Sequence, residues 1–549
     1  MESNANAQFD WRIIFNPRLS GAPLLETLQM EQINGAETLV HTLLEGKVDV
    51  CFANPGTSEM QFVAALDKVP GMRCVLGLFE GVVTGAADGY ARMADKPAST
   101  LMHLAFGLSN GYANLHNAKR AQVPVVNLVG EHRQGHKEVD SPLVGDIEGV
   151  ARTISDWTRT TTSADDIAQD TAEAIRQANT KPGRIATLVL PGDTAWSMAK
   201  PHGKLDFAPP AATLPSDSKF DAAIKALKSG EPVILMLSGR ALRAGALALA
   251  DQVCQRTGAT MLAQYSNGRM ERGAGRVAIA RTPAPVDQGV AAFKDAKHVI
   301  LIGGKLPAPL FGYPDKPDHL LAPGTNLVEL VSPGDDLHAT LKELAERLGA
   351  LSLAPRVEAQ KEMAMPSGAL TPEATLRTIA ALLPDNAIIV DESVSAGRTF
   401  FPASMGAKAH DYLQLTGGAI GCGLPLSVGA AIACPERKVI NMEGDGSSMY
   451  TIQALWTQAR ERLNVVTVIF ANRGYQILKA ELVGVGAKDW GARAESMLSI
   501  SNPDISWAKM AQGMGVESGV ATTCEEFAKL LRHAVSRPGP FLIEAQTNR

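Results

Sequence analysis

Short apolar runs alternate with stretches in which apolar residues recur at helical spacing, and this alternation comes in three blocks. In the first, Asp49–Ala53, Cys74–Leu78, Thr100–Leu104, Val123–Val129 and Ala186–Leu190 read as buried strands. Helix-period segments such as Gly81–Met93 separate them. The middle block repeats the plan on a smaller scale, with strands at Val233–Leu237, His298–Ile302 and Leu327–Val331. The third opens with Thr371 as a helix N-cap and Pro372 at the first helical position. Strands follow at Ala387–Val390, Lys438–Met442 and Val465–Phe470. Strand–helix alternation predicts parallel sheets with helices on both faces, so the expected class is α/β with three doubly wound parallel-sheet domains.

Two segments rich in Pro, Ala and polar residues, Lys200–Ser218 and Leu351–Leu370, show no sustained period and read as linkers. The expected organisation is an N-terminal arm over 1–33 and domains over 34–200, 219–350 and 371–549. A chain of 549 residues suits about three to four domains.

Composition narrows the function classes. Apolar residues make up 45% and charged residues 20%, with a formal net charge of −5, which is ordinary for a soluble globular protein. Without a long basic run, neither a nucleic-acid track nor an anionic membrane surface is an expected partner. The six cysteines form no CxxC pair and read as reduced core residues. The first thirty or so residues, with Trp11, Ile13 and Phe15, lack a continuous apolar core and read as an arm, not a signal peptide. No uninterrupted apolar stretch reaches the roughly eighteen residues of a membrane span, so a cytoplasmic enzyme is the expectation.

Candidate chemistry concentrates in Lys438–Tyr475, KVINMEGDGSSMYTIQALWTQARERLNVVTVIFANRGY. One strand ends in Gly444-Asp445-Gly446-Ser447, and a helix with Ile452, Leu455, Trp456 and Ala459 on one side is expected to follow. A second strand ends at Asn472. In a parallel sheet both ends emerge at one edge, which makes Asp445 and Asn472 neighbours in space. A carboxylate, an amide oxygen and a backbone carbonyl suit Mg²⁺ that keeps phosphate and water oxygens as further ligands. Gly446 and Ser447 would present N–H groups to a phosphate. The plainer alternative is a strand-to-helix turn capped by an Asp.

The GDG stretch followed by an Asn at the next strand end resembles the thiamine-diphosphate-binding signature of the acetolactate synthase, pyruvate decarboxylase and benzoylformate decarboxylase superfamily. The resemblance runs from about Asn34 to the C-terminus, in the family's order of pyrimidine, central and diphosphate domains. It implies that Asp445 and Asn472 ligate Mg²⁺ by their side chains and Gly474 by its carbonyl. Ser447, Tyr475 and Ser395 would touch the diphosphate of bound thiamine diphosphate. The family usually has two adjacent Asn residues where this chain has Ala471-Asn472, and the retained Asn matches the ligand. GGAIGCGLP, Gly417–Pro425, resembles the segment that cradles the cofactor rings. There the Gly418 carbonyl would accept from the aminopyrimidine, and Ile420 would be the wedge that bends the cofactor.

In the first block Glu80 ends the run RCVLGLFE. Alone, it reads as a helix cap; by resemblance it is the acid that bonds the aminopyrimidine N1′ and promotes its imino form, which suits a carboxyl in an apolar wall. FANPGTSE (Phe52–Glu59) and LMHLAFGLSN (Leu101–Asn110) look more like benzoylformate decarboxylase than acetolactate synthase. That places Asn54 and Thr57 beside the cofactor, with Thr57 where the relative has a substrate-contacting serine. His103 falls on a proton-relaying histidine, although a His at a strand end can equally be structural. His116, His132 and His136 read as surface or packing residues.

Two departures bear on substrate. By the resemblance, a second active-site histidine would fall near Arg281-Thr282-Pro283, where none exists, and a pocket aromatic would fall near Glu481. The expected function is therefore thiamine-diphosphate- and Mg²⁺-dependent breaking or making of the bond beside a 2-oxo carbonyl. The substrate would be a small 2-oxo acid, without commitment to an aromatic one. FAD is not expected, since the middle block lacks the matching segments. A 2-hydroxyacyl-CoA lyase is the enzymatic alternative, but it wants a basic C-terminal segment and the tail offers Arg537 and Arg549 only. A non-catalytic homologue would have lost Glu80, Asp445 or Asn472, and all are present. Because the family divides its site between subunits, a homodimer or homotetramer is expected.

Overall fold

The computed structural model describes residues 33–487 and 489–547. The arm read over 1–33, with Trp11, Ile13 and Phe15, therefore lies outside the described residues except for Ile33.

The first sheet holds β1 (Val50–Asn54), β2 (Arg73–Leu76), β3 (Ala98–His103), β4 (Val125–Glu131), β5 (Trp157–Thr160) and β6 (Ile185–Pro191). Its order is β2-β1-β3-β4-β6-β5, with every pair parallel. The middle block contributes β7 (Val233–Leu237), β8 (Thr260–Ala263), β9 (Met270–Arg272), β10 (Ala280–Arg281), β11 (His298–Ile302) and β12 (Asn326–Val331). Five of these form a parallel sheet in the order β10-β8-β7-β11-β12. The third block adds β13 (Ala387–Glu392), β14 (His410–Gln414), β15 (Val439–Gly444), β16 (Val465–Phe470), β17 (Glu517–Ala521) and β18 (Phe541–Ala545). Its sheet runs β17-β18-β16-β15-β13-β14-β9, and only β9, lent by the middle block, is antiparallel.

The apolar runs locate their strands to within two residues, because a strand buried on both faces has few polar positions to blur its ends. The helix expected after Ser447 is instead two pieces, Asp445–Ser448 and Ala454–Arg460. Between them Thr451 donates its hydroxyl to the Gly421 carbonyl at 2.9 Å, which draws the chain toward the Gly417–Pro425 loop.

That loop is positioned by a helix pair. The Glu80–Ala94 helix from the first block crosses the Gly423–Ala433 helix from the third, apolar except for Ser427, with almost no side chains between them at the crossing. A Cβ on Gly89 would stand 2.0 Å from the Leu426 carbonyl oxygen, and one on Gly429 would stand 1.9 Å from that of Ala86. Buried amides finish the junction. Asn114 donates to the carbonyls of Gly81 (2.8 Å) and Gly421 (3.1 Å). Asn117 donates to the Ala419 carbonyl at 2.7 Å and accepts from Gly417 N at 3.1 Å. Arg92, buried and paired with Asp88 at 2.6 Å, donates to the Gln414 carbonyl at 2.7 Å.

Beneath the loop lie two buried carboxyls on adjacent strands, Glu392 and Glu443, in register with each other. Glu392 accepts from Gly421 N at 2.7 Å and Gly423 N at 2.5 Å, and Glu443 from the Asn441 amide at 3.1 Å. Burial pushes Glu392 up to about 7 despite those backbone donors, and burial together with the Glu392 charge pushes Glu443 well up.

Two predictions follow from this framework. Gly429→Ala forces a methyl into a backbone that cannot step aside, so it should cost at least about 2–3 kcal/mol in urea unfolding. A loss within experimental error would refute the close crossing. The carboxyl pair predicts a pH dependence. The folded chain retains protons that the unfolded chain releases between the ordinary carboxylate value of 4.5 and about 7, so stability falls as pH rises through that window. Glu443→Gln copies the neutral acid, and its melting temperature in cofactor-free protein should gain on the wild type between about pH 5 and about pH 8. A gap that stays constant with pH would count against a proton held by the pair.

Candidate active site

At the C-terminal edge of the third sheet, β15 and β16 end side by side with Gly444 opposite Phe470. The residues that follow are drawn into one turn. Asp445 Oδ2 accepts from Arg473 N at 2.5 Å, its Oδ1 accepts from Gly446 N at 2.8 Å, and Asn472 Oδ1 accepts from Gly474 N at 3.1 Å. The neighbourhood of Asp445 and Asn472 read from the strand ends is thus present, and it includes Gly474.

Asp445 is 3% exposed, and burial raises its pKa to about 6 against the pull of the backbone N–H groups. No Lys or Arg side chain pairs with it among the described residues. A buried acid without a side-chain cation is a place where a bound cation gains the most. Among the described residues no three His, Cys, Asp or Glu side chains converge on a metal position. A divalent ion here would take one carboxylate, one amide oxygen and one carbonyl from the protein, and would need oxygens from a ligand. This donor set fits Mg²⁺ with a diphosphate.

Of the other positions named for the cofactor, Ser447 and Tyr475 lie at this turn. Ser447 donates to the Gly444 carbonyl at 3.0 Å, and the Tyr475 ring lies so close over Gly446 that a Cβ there would stand 2.3 Å from it. Ser395 follows Val394, a β-branched residue held at φ +49°, where strain is expected. Gly418 is exposed at φ +79°, with open space where a Cβ would project, and Ile420 beside it is half-buried.

In the first sheet Glu80 opens its helix as a buried acid. Its Oε2 accepts from the Asn110 amide at 3.0 Å. A Cβ on Gly107 would stand 3.1 Å from Glu80 Oε1 and 3.6 Å from His103 Cβ, so both side chains border Gly107. His103 ends β3, and Leu104 after it turns into the next helix at φ +55°. On the neighbouring strand Asn54 donates to the Gly77 carbonyl at 3.0 Å, and the exposed Thr57 opens a short 3-10 turn through Glu59.

Sequence reasoning stopped at Thr57 in FANPGTSE, whereas the next two residues make the contacts. Ser58 Oγ lies 2.8 Å and Glu59 Oε2 3.0 Å from His103 Nδ1. Asn110, Asn114, Asn117, Glu392 and Glu443 were also missed. Their signal is a polar residue within an apolar or glycine-rich stretch, and its importance depends on a partner from another block. The departures have structural counterparts. Arg281 lies against the rings of Tyr265 (5.3 Å) and Phe401 (4.9 Å) and donates to Gln414 at 3.1 Å. Glu481 accepts from the Tyr313 hydroxyl at 2.8 Å, so its carboxylate is paired. His132 bonds Glu131 and stacks on His136, and His116 packs against Gly417. All six cysteines are free thiols.

Comparison with known proteins gives the family. Residues 33–151 match the thiamine pyrophosphate enzyme N-terminal TPP binding domain, and residues 396–545 match the C-terminal TPP binding domain. A Mycobacterium tuberculosis protein provisionally described as acetolactate synthase large subunit IlvX is 48% identical over 93% of this chain and 98% of its own length. Benzoylformate decarboxylase of Pseudomonas aeruginosa is 29% identical over 90% of this chain and 95% of its length. Among solved structures, a thiamine diphosphate-dependent 4-hydroxybenzoylformate decarboxylase of Rhodococcus jostii superposes with a TM-score of 0.80 at 25% identity, covering 94% of this chain and 99% of that one. With fold, site turn and full-length relatives in agreement, the chain belongs to the thiamine-diphosphate-dependent enzymes of the acetolactate synthase and benzoylformate decarboxylase type.

Proposed function

We propose that the chain holds thiamine diphosphate with Mg²⁺ and uses it to break or make the carbon–carbon bond beside the carbonyl of a small 2-oxo acid. The observation that carries this reading is the single turn that gathers Asp445, Asn472 and Gly474 around a buried carboxylate with no side-chain cation. Bound thiamine diphosphate supplies a carbon nucleophile and an electron sink for the departing group.

The chain's own residues do the rest. Asp445, Asn472 and the Gly474 carbonyl hold the metal, while Gly446, Ser447, Ser395 and Tyr475 hold the diphosphate. Asn54 and Thr57 line the site beside Glu80. The exposed Gly418 carbonyl and the half-buried Ile420 orient the cofactor rings. Glu80, oriented by Asn110, would exchange a proton with a ring nitrogen of the bound cofactor. His103 exchanges protons with the substrate. By the family's division of labour, the Glu80 edge of one subunit faces the diphosphate edge of another, in a homodimer or homotetramer.

The chain's features favour a 2-oxo acid over a 2-hydroxyacyl-CoA. Arg537, the described basic residue of the tail, is already committed to Glu517 and is not free for a nucleotide phosphate. Glu481, paired with Tyr313, no longer argues against an aryl substrate, so benzoylformate belongs among the test substrates beside pyruvate.

Metal-stripped protein should bind thiamine diphosphate only when Mg²⁺ is added, as read by calorimetry, and should then release CO₂ from a 2-oxo acid. Absence of binding would overturn the reading. Glu80→Gln should bind the cofactor but lower turnover at least about 10²-fold, within the range ascribed to acid–base groups. A fully active Glu80→Gln would remove Glu80 from the mechanism. Light scattering should show a dimer or larger, and full activity in a monomer would refute the shared site.

A further inference from the structure

His103 is held by more than its place at a strand end. Glu59 is 3% exposed, and both its oxygens are engaged. Oε2 accepts from Gly56 N at 2.7 Å and sits 3.0 Å from His103 Nδ1, while Oε1 accepts from the Ser58 hydroxyl at 2.6 Å. Ser58 Oγ in turn lies 2.8 Å from the same Nδ1. A serine hydroxyl has one proton, and at 2.6 Å from a carboxylate oxygen that proton is committed to Glu59. What Ser58 shows to the imidazole is a lone pair. Both oxygens facing Nδ1 are therefore acceptors, and two acceptors can be satisfied only if Nδ1 carries the hydrogen.

The ring cannot escape this arrangement by turning over. A Cβ on Gly56 would stand 2.3 Å from His103 Cγ, so the backbone of the turn lies against the imidazole. Phe106 meets the ring edge-on, with centroids 5.3 Å apart. Nε2 makes no hydrogen bond to the protein among the described residues. Glu80 Oε1 and His103 Cβ both border Gly107.

We propose that Glu59 and Ser58 are positioning residues that lock His103 as the Nδ1–H tautomer and so make Nε2 the atom that takes and returns protons at the substrate. The inference deepens the functional reading, since it rests on His103 facing the substrate. The step balances simply: Nε2 accepts one proton from substrate or water through its lone pair, and the cation shared with the Glu59 carboxylate returns that proton later, with no change in oxidation state. Without the clamp, either nitrogen could carry the hydrogen, and the tautomer with Nε2–H could not begin as an acceptor.

The test reads the tautomer directly. In protein with ¹⁵N-labelled histidine, assigned by loss of the signal in His103→Gln, neutral His103 should show a protonated Nδ1 and a bare Nε2. The opposite assignment, or a mixture, would overturn the proposal whatever the activity. Glu59→Gln should return the ring to a mixture, with kcat down at least about ten-fold and KM changed less than about two-fold, as expected for loss of an orienting partner. Glu59→Asp, which keeps the charge, should recover part of kcat. Should Glu59→Gln not fold, the wild-type tautomer still decides, and Ser58→Ala supplies a milder variant whose unaltered kcat would remove Ser58 from the clamp. If the tautomer is as stated but His103→Gln keeps full activity with normal cofactor binding, then the catalytic placement of His103 has failed and the proposal with it, while the cofactor assignment stands.

Discussion

Everything around the candidate site depends on two helices meeting backbone to backbone. At Gly89 and Gly429 the Glu80–Ala94 and Gly423–Ala433 helices come so close that no side chain fits between them. A contact of that kind allows almost no sliding, because any shift drives a Cβ into a carbonyl. It fixes the first and third sheets relative to each other, and with them the start of one helix, where Glu80 sits, and the loop that precedes the other. Asn114 and Asn117 then carry the registration onto the loop itself, each bonding backbone groups that a flexible glycine stretch would otherwise leave to water. The buried Arg92–Asp88 pair plays a similar role. Burying two charges yields little net stability, but the remaining guanidinium hydrogens reach the carbonyls of Gly268 and Gln414 and the hydroxyl of Thr416, joining three blocks at one point.

The same rigidity supports strain where the chain turns into the site. Leu104, Val394 and Arg473 all have positive φ, and each follows or precedes a candidate functional residue: His103, Ser395 and Asn472. None is a glycine, so each costs of order 1–3 kcal/mol. The cost is tolerated because the flanking strands are buried in the sheets, and it permits a sharp reversal that leaves the functional side chain at the sheet edge. Asn472 and Gly474 gather around Asp445 only because Arg473 between them bends in this way and points its N–H at the carboxylate.

What could be read beforehand follows from how local each signal is. Where a strand is a continuous apolar run it was read, and its ends came within two residues. The pairing of Asp445 with Asn472 was legible because a parallel sheet puts consecutive strand ends at one edge. Strands β5, β8, β9, β10, β14, β17 and β18 were not read; β9 and β10 are only three and two residues long, and β9 belongs to a sheet in another block. The broken helix after Ser447 escaped notice because its interruption depends on Thr451 reaching Gly421, thirty residues away in sequence. Glu59 sat inside a stretch already singled out and Glu392 three residues before Ser395, and both were still overlooked. A lone acid looks like a cap until its partners, His103 or the amides of Gly421 and Gly423, arrive from elsewhere.

Charge pairing separates framework from function on the third sheet. Asp411 lies 2.6 Å from Arg269 and 2.6 Å from Arg437, and those guanidiniums hold its pKa below the ordinary value in spite of burial. Such an acid is fully occupied and has nothing left for a ligand. Asp445, two strands away and similarly buried, is met among the described residues by backbone N–H groups and no side-chain cation, and its pKa moves the other way. The two acids differ in neither residue type nor depth, only in whether the fold provides a cation. Asp411 is neutralised twice, whereas Asp445 has no side-chain cation among the described residues, and a positive charge there is what the proposed metal would supply. The glycines, strained turns and buried amides around it are the means by which such an otherwise unfavourable carboxylate is kept in place.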